Sequence, residues 1–114
     1  KNDAYLTKVQ NLANQVLTDL GSGLHVDRDV DLHMDTGYFA PGYEQPNEKA
    51  SEAIKMLARL EGLFVDPVYT GKALAGLIDH IRTGKVEQGS NVVFWHTGGA
   101  TALFAEQQML GDIF

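Results

Sequence analysis

The 114-residue chain contains no cysteine, so neither a disulfide nor a thiol nucleophile can contribute to its fold or chemistry. Basic residues are also scarce: 9 lysines and arginines stand against 15 aspartates and glutamates, giving a formal net charge of −6. We therefore expect no nucleic-acid surface, because phosphate contacts need clustered basic side chains. No apolar run approaches the length that spans a membrane, so no membrane segment is expected either.

The remaining composition is typical of a small globular protein. Hydrophobic residues make up 44% of the chain, which argues against disorder. The length suits one small domain, and we find no repeat or low-complexity segment. The first residue is Lys1 and no signal peptide follows, which fits an internal start and a cytoplasmic location.

Apolar residues recur at helical spacing in several segments, which predicts amphipathic helices over residues 3–20, 48–61 and 71–82. Asn47 precedes the second of these helices as a capping residue, and Gly62 follows it as a terminator. A final helix is predicted over residues 100–110.

Three other segments predict strands. Residues 24–34 alternate apolar and polar side chains, which indicates a strand with one wet face. A calcium loop starting at Asp27 is excluded, because Leu32 and Tyr38 stand where glycine and glutamate are needed. Residues 63–65 are predicted to form a short strand, and the apolar run at 92–95 suits a parallel strand covered on both faces. The pattern predicts an α/β fold with a mostly parallel sheet flanked by helices.

Two of the predicted strands end in turns that open helices, and ligands of α/β sheets bind at such junctions. Tyr69 and Thr70 stand on the first junction; Thr97 and Gly98 stand on the second. From the pattern alone, the two turns could share a pocket, and the second would suit a phosphate. The alternative is that Thr70 and Thr97 only cap the helices that follow.

A loop over residues 36–46 carries Tyr38 and Tyr43 among glycines and prolines. Such a loop is often a binding loop. Equally, its tyrosines could simply cover the edge of the core.

Four motifs of this sequence resemble the C-terminal part of D-cysteine desulfhydrases. They are YFAPGY at 38–43, LARLEG at 57–62, DPVYTGKALAGLID at 66–79 and HTGGATALF at 96–104. The 1-aminocyclopropane-1-carboxylate deaminases are close relatives, but they carry glutamate where Thr70 stands and leucine where Thr97 stands. The chain departs from the desulfhydrase pattern at Thr101, usually proline, and in the tail after Ala105, which we cannot match.

The resemblance implies a pyridoxal phosphate (PLP) enzyme of the tryptophan-synthase-β-like fold, also called fold type II. It implies that Tyr43 and Tyr69 are catalytic, and that Thr97 faces the pyridine nitrogen of PLP. The implied cofactor-binding residues are Thr97, Thr70, Tyr69 and Gly98. An amino acid is the expected substrate, a homodimer the expected assembly, and no metal is expected.

Enzymes of this kind are considerably longer, and their Schiff-base lysine and phosphate-binding loop lie upstream of the matching motifs. None of the six lysines here sits in the family's lysine motif. We therefore expect residues 1–114 to be a single unit, the C-terminal part of the PLP-binding large domain, and to be inactive alone. The expected parent reaction is β-elimination of D-cysteine to pyruvate, hydrogen sulfide and ammonia. The alternatives are a cyclopropane amino acid deaminase and a non-catalytic piece.

Overall fold

The computed structural model describes residues 2–43, 45 and 47–105. Within this part of the chain there are five helices: α1 (Asn2–Asp19), α2 (Arg28–Asp31), α3 (Glu48–Glu61), α4 (Thr70–Arg82) and α5 (Ala100–Ala105). The chain divides into two compact units, Lys1–Thr36 and Gly37–Phe114. No helix among the described residues has the length and apolar character needed to cross a membrane.

The first unit consists of α1 and the segment that folds back along it. Asn14 on α1 holds this segment with both ends of its amide group: it donates to the Val26 carbonyl (3.0 Å) and accepts from the Val26 N–H (2.8 Å). Gln10 of the same helix accepts from the backbone N–H of Arg28. The returning segment is therefore attached to the helix by side chains that lie one turn apart.

The second unit is built on the packing of α3 against α4. The Asn47 side chain accepts from the Ala50 N–H (3.0 Å) at the start of α3, and Gly62 ends that helix in the left-handed region (φ 67°). The predicted helices and both α3 caps are confirmed here. The apolar stripes of the two helices form the core together with one residue of the segment between them and one residue of α5; its buried members are Ala53, Ile54, Val65, Leu74, Ala75 and Leu103.

The predicted α/β fold is wrong, because the described residues contain no β-strand. The first predicted strand, residues 24–34, contains the short helix α2 instead. The Asp27 carboxylate accepts from the Asp29 N–H (2.8 Å), and the Asp31 carboxylate accepts from the Asp27 N–H (2.7 Å). Short acidic side chains that bond to nearby backbone compete with strand pairing, so the alternation ends in a helical turn.

The other two predicted strands, residues 63–65 and 92–95, are irregular segments without a strand ladder. The apolar run at 92–95 was expected to be covered on both faces, yet Val93 is 84% and Trp95 80% exposed. Periodicity describes which side chains are apolar, whereas a strand also needs a neighbouring backbone as hydrogen-bond partner. The described residues supply none, so a mostly parallel sheet is absent from this part of the chain. The last helix begins at Ala100 as predicted, but residues 106–110 of that prediction lie outside the described residues.

Candidate functional site

Asp66 lies at the point where the irregular segment 62–66 enters the turn before α4, and it is only 1% exposed. One carboxylate oxygen accepts from the backbone N–H groups of Val68 (2.8 Å) and Tyr69 (2.6 Å). The other accepts from the Thr70 N–H (2.8 Å) and from the Thr70 hydroxyl. One buried side chain therefore satisfies the N–H groups of the turn that leads into α4 and of Thr70, the first residue of that helix.

The sequence around Asp66 explains this arrangement. Pro67 follows it and has no N–H to satisfy, which suits the position after a capping residue. The Gly71 N–H donates to the Asp66 carbonyl (2.7 Å), and a Cβ at Gly71 would lie 2.5 Å from that oxygen. Only glycine permits so close an approach of the two backbone segments.

The electrostatics of Asp66 favour its charged form. Burial raises the pKa of the Asp66 carboxyl, but the hydrogen bonds from Thr70, Tyr69 and Val68 together outweigh it and hold the pKa below its ordinary value. The carboxylate is thus a fixed negative charge at the base of the turn.

The structure brings together the two tyrosines expected to be catalytic, although 26 residues separate them in the sequence. The Tyr69 hydroxyl donates to the Tyr43 hydroxyl over 3.0 Å, and the ring centroids lie 5.9 Å apart with the planes tilted by 56°. Tyr69 is 62% and Tyr43 66% exposed. Asp66 fixes the backbone of Tyr69, while the phenol projects outward and meets the loop that carries Tyr43.

Side chains of α4 bind the loop that carries Tyr43. The Tyr38 hydroxyl donates to Asp79, and this hydrogen bond lowers the pKa of the Asp79 carboxyl. Lys72 donates to the carbonyls of Phe39 (3.2 Å) and Gly42 (2.7 Å). Side chains of α4 therefore hold this loop at both ends.

A second turn, residues 96–99, lies beside the Asp66 turn. The His96 ring contacts the Phe64 carbonyl through Nε2 (2.8 Å) and receives the Gly98 N–H at Nδ1 (3.1 Å). Since a carbonyl only accepts and an N–H only donates, these contacts assign the proton of His96 to Nε2. A Cβ at Gly99 (φ 90°) would lie 2.9 Å from the Asp66 carboxylate, so the second turn packs directly on the first.

The second turn presents the hydroxyl of Thr97. Thr97 is exposed, and the described part of the chain gives its side chain no hydrogen-bond partner. Gly98 has φ 104°, and a Cβ there would meet nothing within 4 Å. An open, hydrogen-bonding hydroxyl therefore stands beside an open glycine.

Thr70 behaves differently from the other expected cofactor residues. It is 4% exposed, and its hydroxyl donates to the Asp66 carboxylate and accepts from the Asp66 N–H (2.9 Å). Both functions of the hydroxyl are thus used inside the turn. In this arrangement Thr70 stabilises the entry to α4 and is not open to a ligand.

Sequence reasoning missed Asp66, Lys72 and His96 as parts of this site. A signal existed for Asp66, since aspartate before proline at the start of a helical pattern indicates a cap. No comparable signal exists for His96, because a single histidine without a partner pattern is usually structural. The described residues hold no cluster of acidic or histidine side chains suited to a metal ion.

A comparison with known families identifies the family of the chain. Residues 4–98 match the family described as pyridoxal-phosphate dependent enzyme. The match covers most of the chain, and the protein belongs to this family of PLP-dependent enzymes. The cofactor of the family is pyridoxal phosphate.

The side chains of the site can be compared with what the ring of PLP requires. A pyridine nitrogen needs a hydrogen-bonding group, and the open Thr97 hydroxyl is of that kind. A ring face needs an exposed aromatic or apolar neighbour, and the outward Tyr69 phenol is one. The residues present therefore fit the ring end of the cofactor.

Proposed function

We propose that this chain is the C-terminal part of a PLP-dependent lyase that converts D-cysteine and water to pyruvate, hydrogen sulfide and ammonia. Family membership supports the cofactor, and the four desulfhydrase-like motifs support the reaction. The observation that carries the proposal is the contact between the Tyr43 and Tyr69 hydroxyls, 3.0 Å apart on the outer side of the Asp66 turn.

PLP supplies the electron sink that makes the α-proton of a bound amino acid removable. The Thr97 hydroxyl would donate a hydrogen bond to the pyridine nitrogen. A neutral donor at this position holds the ring in place without the strong protonating effect of a carboxylate. Tyr69 would lie against the ring face, and Tyr43 would reach the substrate from its loop.

In the elimination, a base from the part of the enzyme upstream of this chain would take the α-proton, and the carbon–sulfur bond would break with its electron pair on sulfur. We assign to Tyr43 the proton that the departing sulfur takes up. Because Tyr69 donates to the Tyr43 oxygen, the oxygen that loses this proton already accepts a hydrogen bond. That bond stabilises the negative charge that develops on Tyr43. Water then hydrolyses the three-carbon enamine to pyruvate and ammonia.

The test uses the intact enzyme and two substrates. Sulfide release is measured with D-cysteine, and ammonia release with 1-aminocyclopropane-1-carboxylate. We expect sulfide, and we expect Tyr43→Phe to lower kcat by roughly 100-fold, as is usual for loss of a general acid. Bound PLP, measured by its visible absorbance, should be retained. Tyr5→Phe, an exposed tyrosine on α1, serves as the matched control.

Three results would overturn the proposal. Ammonia from the cyclopropane substrate without sulfide from D-cysteine would assign a deaminase. An intact protein that binds no PLP would assign a non-catalytic role. Full activity of Tyr43→Phe would remove Tyr43 from the chemistry.

A further inference from the structure

Lys72 is a buried cation to which the reaction gives no role. It is 6% exposed and lies in the first turn of α4, three residues after Tyr69. Its ammonium group donates to two carbonyl oxygens, of Gly42 at 2.7 Å and of Phe39 at 3.2 Å. Lysine is almost never buried without partners, because burying an unpaired charge is costly.

The segment that Lys72 binds is an irregular loop with turns at residues 40–41 and 43. Three side chains attach it to its surroundings: Tyr38 donates to Asp79, Asn47 donates to the Ala40 carbonyl (2.6 Å), and Lys72 donates to the carbonyls of Phe39 and Gly42. Of these three attachments, Lys72 binds closest along the chain to Tyr43, since Gly42 immediately precedes it.

The position of Tyr43 therefore depends on a helix that also carries Tyr69. The Asp66 carboxylate fixes the backbone at Tyr69, and three residues later the Lys72 ammonium fixes the backbone before Tyr43. Moving the loop away would leave the ammonium without its two described acceptors, and hydrogen bonds from a charged donor are stronger than neutral ones. Lys72 thus resists separation of the two phenols.

We propose that Lys72 is a positioning residue that sets the contact between Tyr43 and Tyr69 by holding the loop 39–42 on α4. The consequence for turnover rests on the proposed function, in which Tyr43 delivers a proton. The claim that Lys72 holds the loop and sets the contact between the two tyrosines does not depend on the proposed function. The positioning role and its effect on turnover are therefore measured separately.

The geometric part is tested with Lys72→Met in the intact holoenzyme. Methionine keeps the apolar stem of lysine and removes the three donors. With 3-fluorotyrosine at position 43, we expect the ¹⁹F signal to move toward that of a solvated tyrosine and the Tyr43–Tyr69 ring contacts to disappear. Lys55→Met is the matched control, because Lys55 on α3 makes no hydrogen bond or ion pair within the described residues.

The functional part is tested with a double-mutant cycle on sulfide release. Misplacing a reacting group by about 1 Å can cost roughly 100-fold, so we expect Lys72→Met to lower kcat by about 10- to 100-fold. In a Tyr43→Phe background, the same substitution should lower kcat by less than about 2-fold, since the group that Lys72 positions is already absent. A merely structural role would lower kcat equally in both backgrounds.

Unchanged Tyr43 signals in Lys72→Met, or equal losses in the two backgrounds, would overturn the inference. If Lys72→Met does not give folded protein, Lys72→Gln carries the same measurements, since its shorter amide remains polar but cannot reach both carbonyls. If the intact protein releases no sulfide, the proposed function fails, and the ¹⁹F comparison still decides the role of Lys72.

Discussion

Replacing Asp66 with asparagine tests the centre of the site with the smallest change of shape. The carboxylate accepts four hydrogen bonds: the N–H groups of Val68, Tyr69 and Thr70, and the Thr70 hydroxyl. Asparagine has one accepting oxygen, and its NH₂ group must face some of these donors. If the oxygen keeps the first two bonds, the NH₂ group faces Thr70.

The expected loss of stability follows from the hydrogen-bond donors that asparagine leaves without an acceptor. The Thr70 hydroxyl can turn and accept from the new NH₂ group. The buried Thr70 N–H can only donate, so it is left without an acceptor. A buried donor left without an acceptor costs about 1–3 kcal/mol. The remaining bonds also change from charge-assisted to neutral, which weakens them further. Removing a buried charge offsets part of this loss, yet the lowered pKa of Asp66 shows that the hydrogen bonds outweigh burial. We expect Asp66→Asn to lower the free energy of unfolding by about 2–3 kcal/mol.

Two measurements check this value. Urea unfolding gives the change in stability, and hydrogen exchange at the Tyr69 and Thr70 amides reports local opening of the turn. Asp29→Asn is the control, because the Asp29 side chain is 75% exposed and exposed ion pairs such as the one it forms with Arg28 contribute little to stability. If Asp66→Asn and Asp29→Asn unfold alike and the two amides keep their protection, the Asp66 hydrogen bonds do not stabilise the turn.

The same variant predicts a dependence on pH. The pKa of Asp66 is lowered in the folded state, so its carboxylate contributes stability at pH values above the unfolded pKa of about 3.9. That contribution is lost as the pH falls through the lower, folded pKa. The stability difference between the wild type and Asp66→Asn should therefore be constant near neutrality and shrink in acid below about pH 4. A difference that grows on acidification would refute the assignment.

Two further predictions concern the second turn and the lysines. Gly99→Ala should lower the free energy of unfolding by about 2–3 kcal/mol in urea, because it combines a positive φ with a Cβ placed 2.9 Å from the Asp66 carboxylate. The control Gly89→Ala, at φ 87° but in open space, should lower it by about 1 kcal/mol. Equal effects of the two substitutions would exclude the contact between Gly99 and Asp66. Borohydride reduction of this chain mixed with PLP should leave no stoichiometric pyridoxyl adduct on any lysine, because no lysine lies in the family's lysine motif and Lys72 is buried against two carbonyls. Mass analysis that finds such an adduct would contradict this prediction.

The helices could be predicted from the sequence because their signals are local. Asn47 caps α3 and Gly62 ends it, and apolar residues at helical spacing define the face that packs on α4. Each of these signals depends on residues within a turn or two. The strand predictions failed because alternation and apolar runs describe one segment, whereas pairing depends on a second backbone that the pattern does not identify.

The positions of the outward side chains on turns were predictable, whereas their roles in a site stay a prediction. Tyr43, Tyr69 and Thr97 are exposed residues on turns, and the family resemblance named them through motifs that surround each one. The pattern also suggested that the two turns before α4 and α5 could share a pocket. In the structure these turns are in contact, since Gly99 packs on Asp66. Whether the three side chains act on a cofactor and a substrate remains a prediction.

The residues that hold the site in place, Asp66 and Lys72, were harder to predict, because their hydrogen-bond partners are mainly backbone groups. The described residues contain no ion pair between these two buried charges. Asp66 is satisfied mainly by N–H groups, and Lys72 by carbonyls of a loop about 30 residues earlier in the chain. Almost every residue carries these backbone groups, so no side-chain pattern distinguishes the ones that a charge will meet. A cap such as Asp66 can still be inferred, since its donors follow it directly in the sequence. Lys72 cannot, because its acceptors are fixed only when the Tyr43 loop folds over α4.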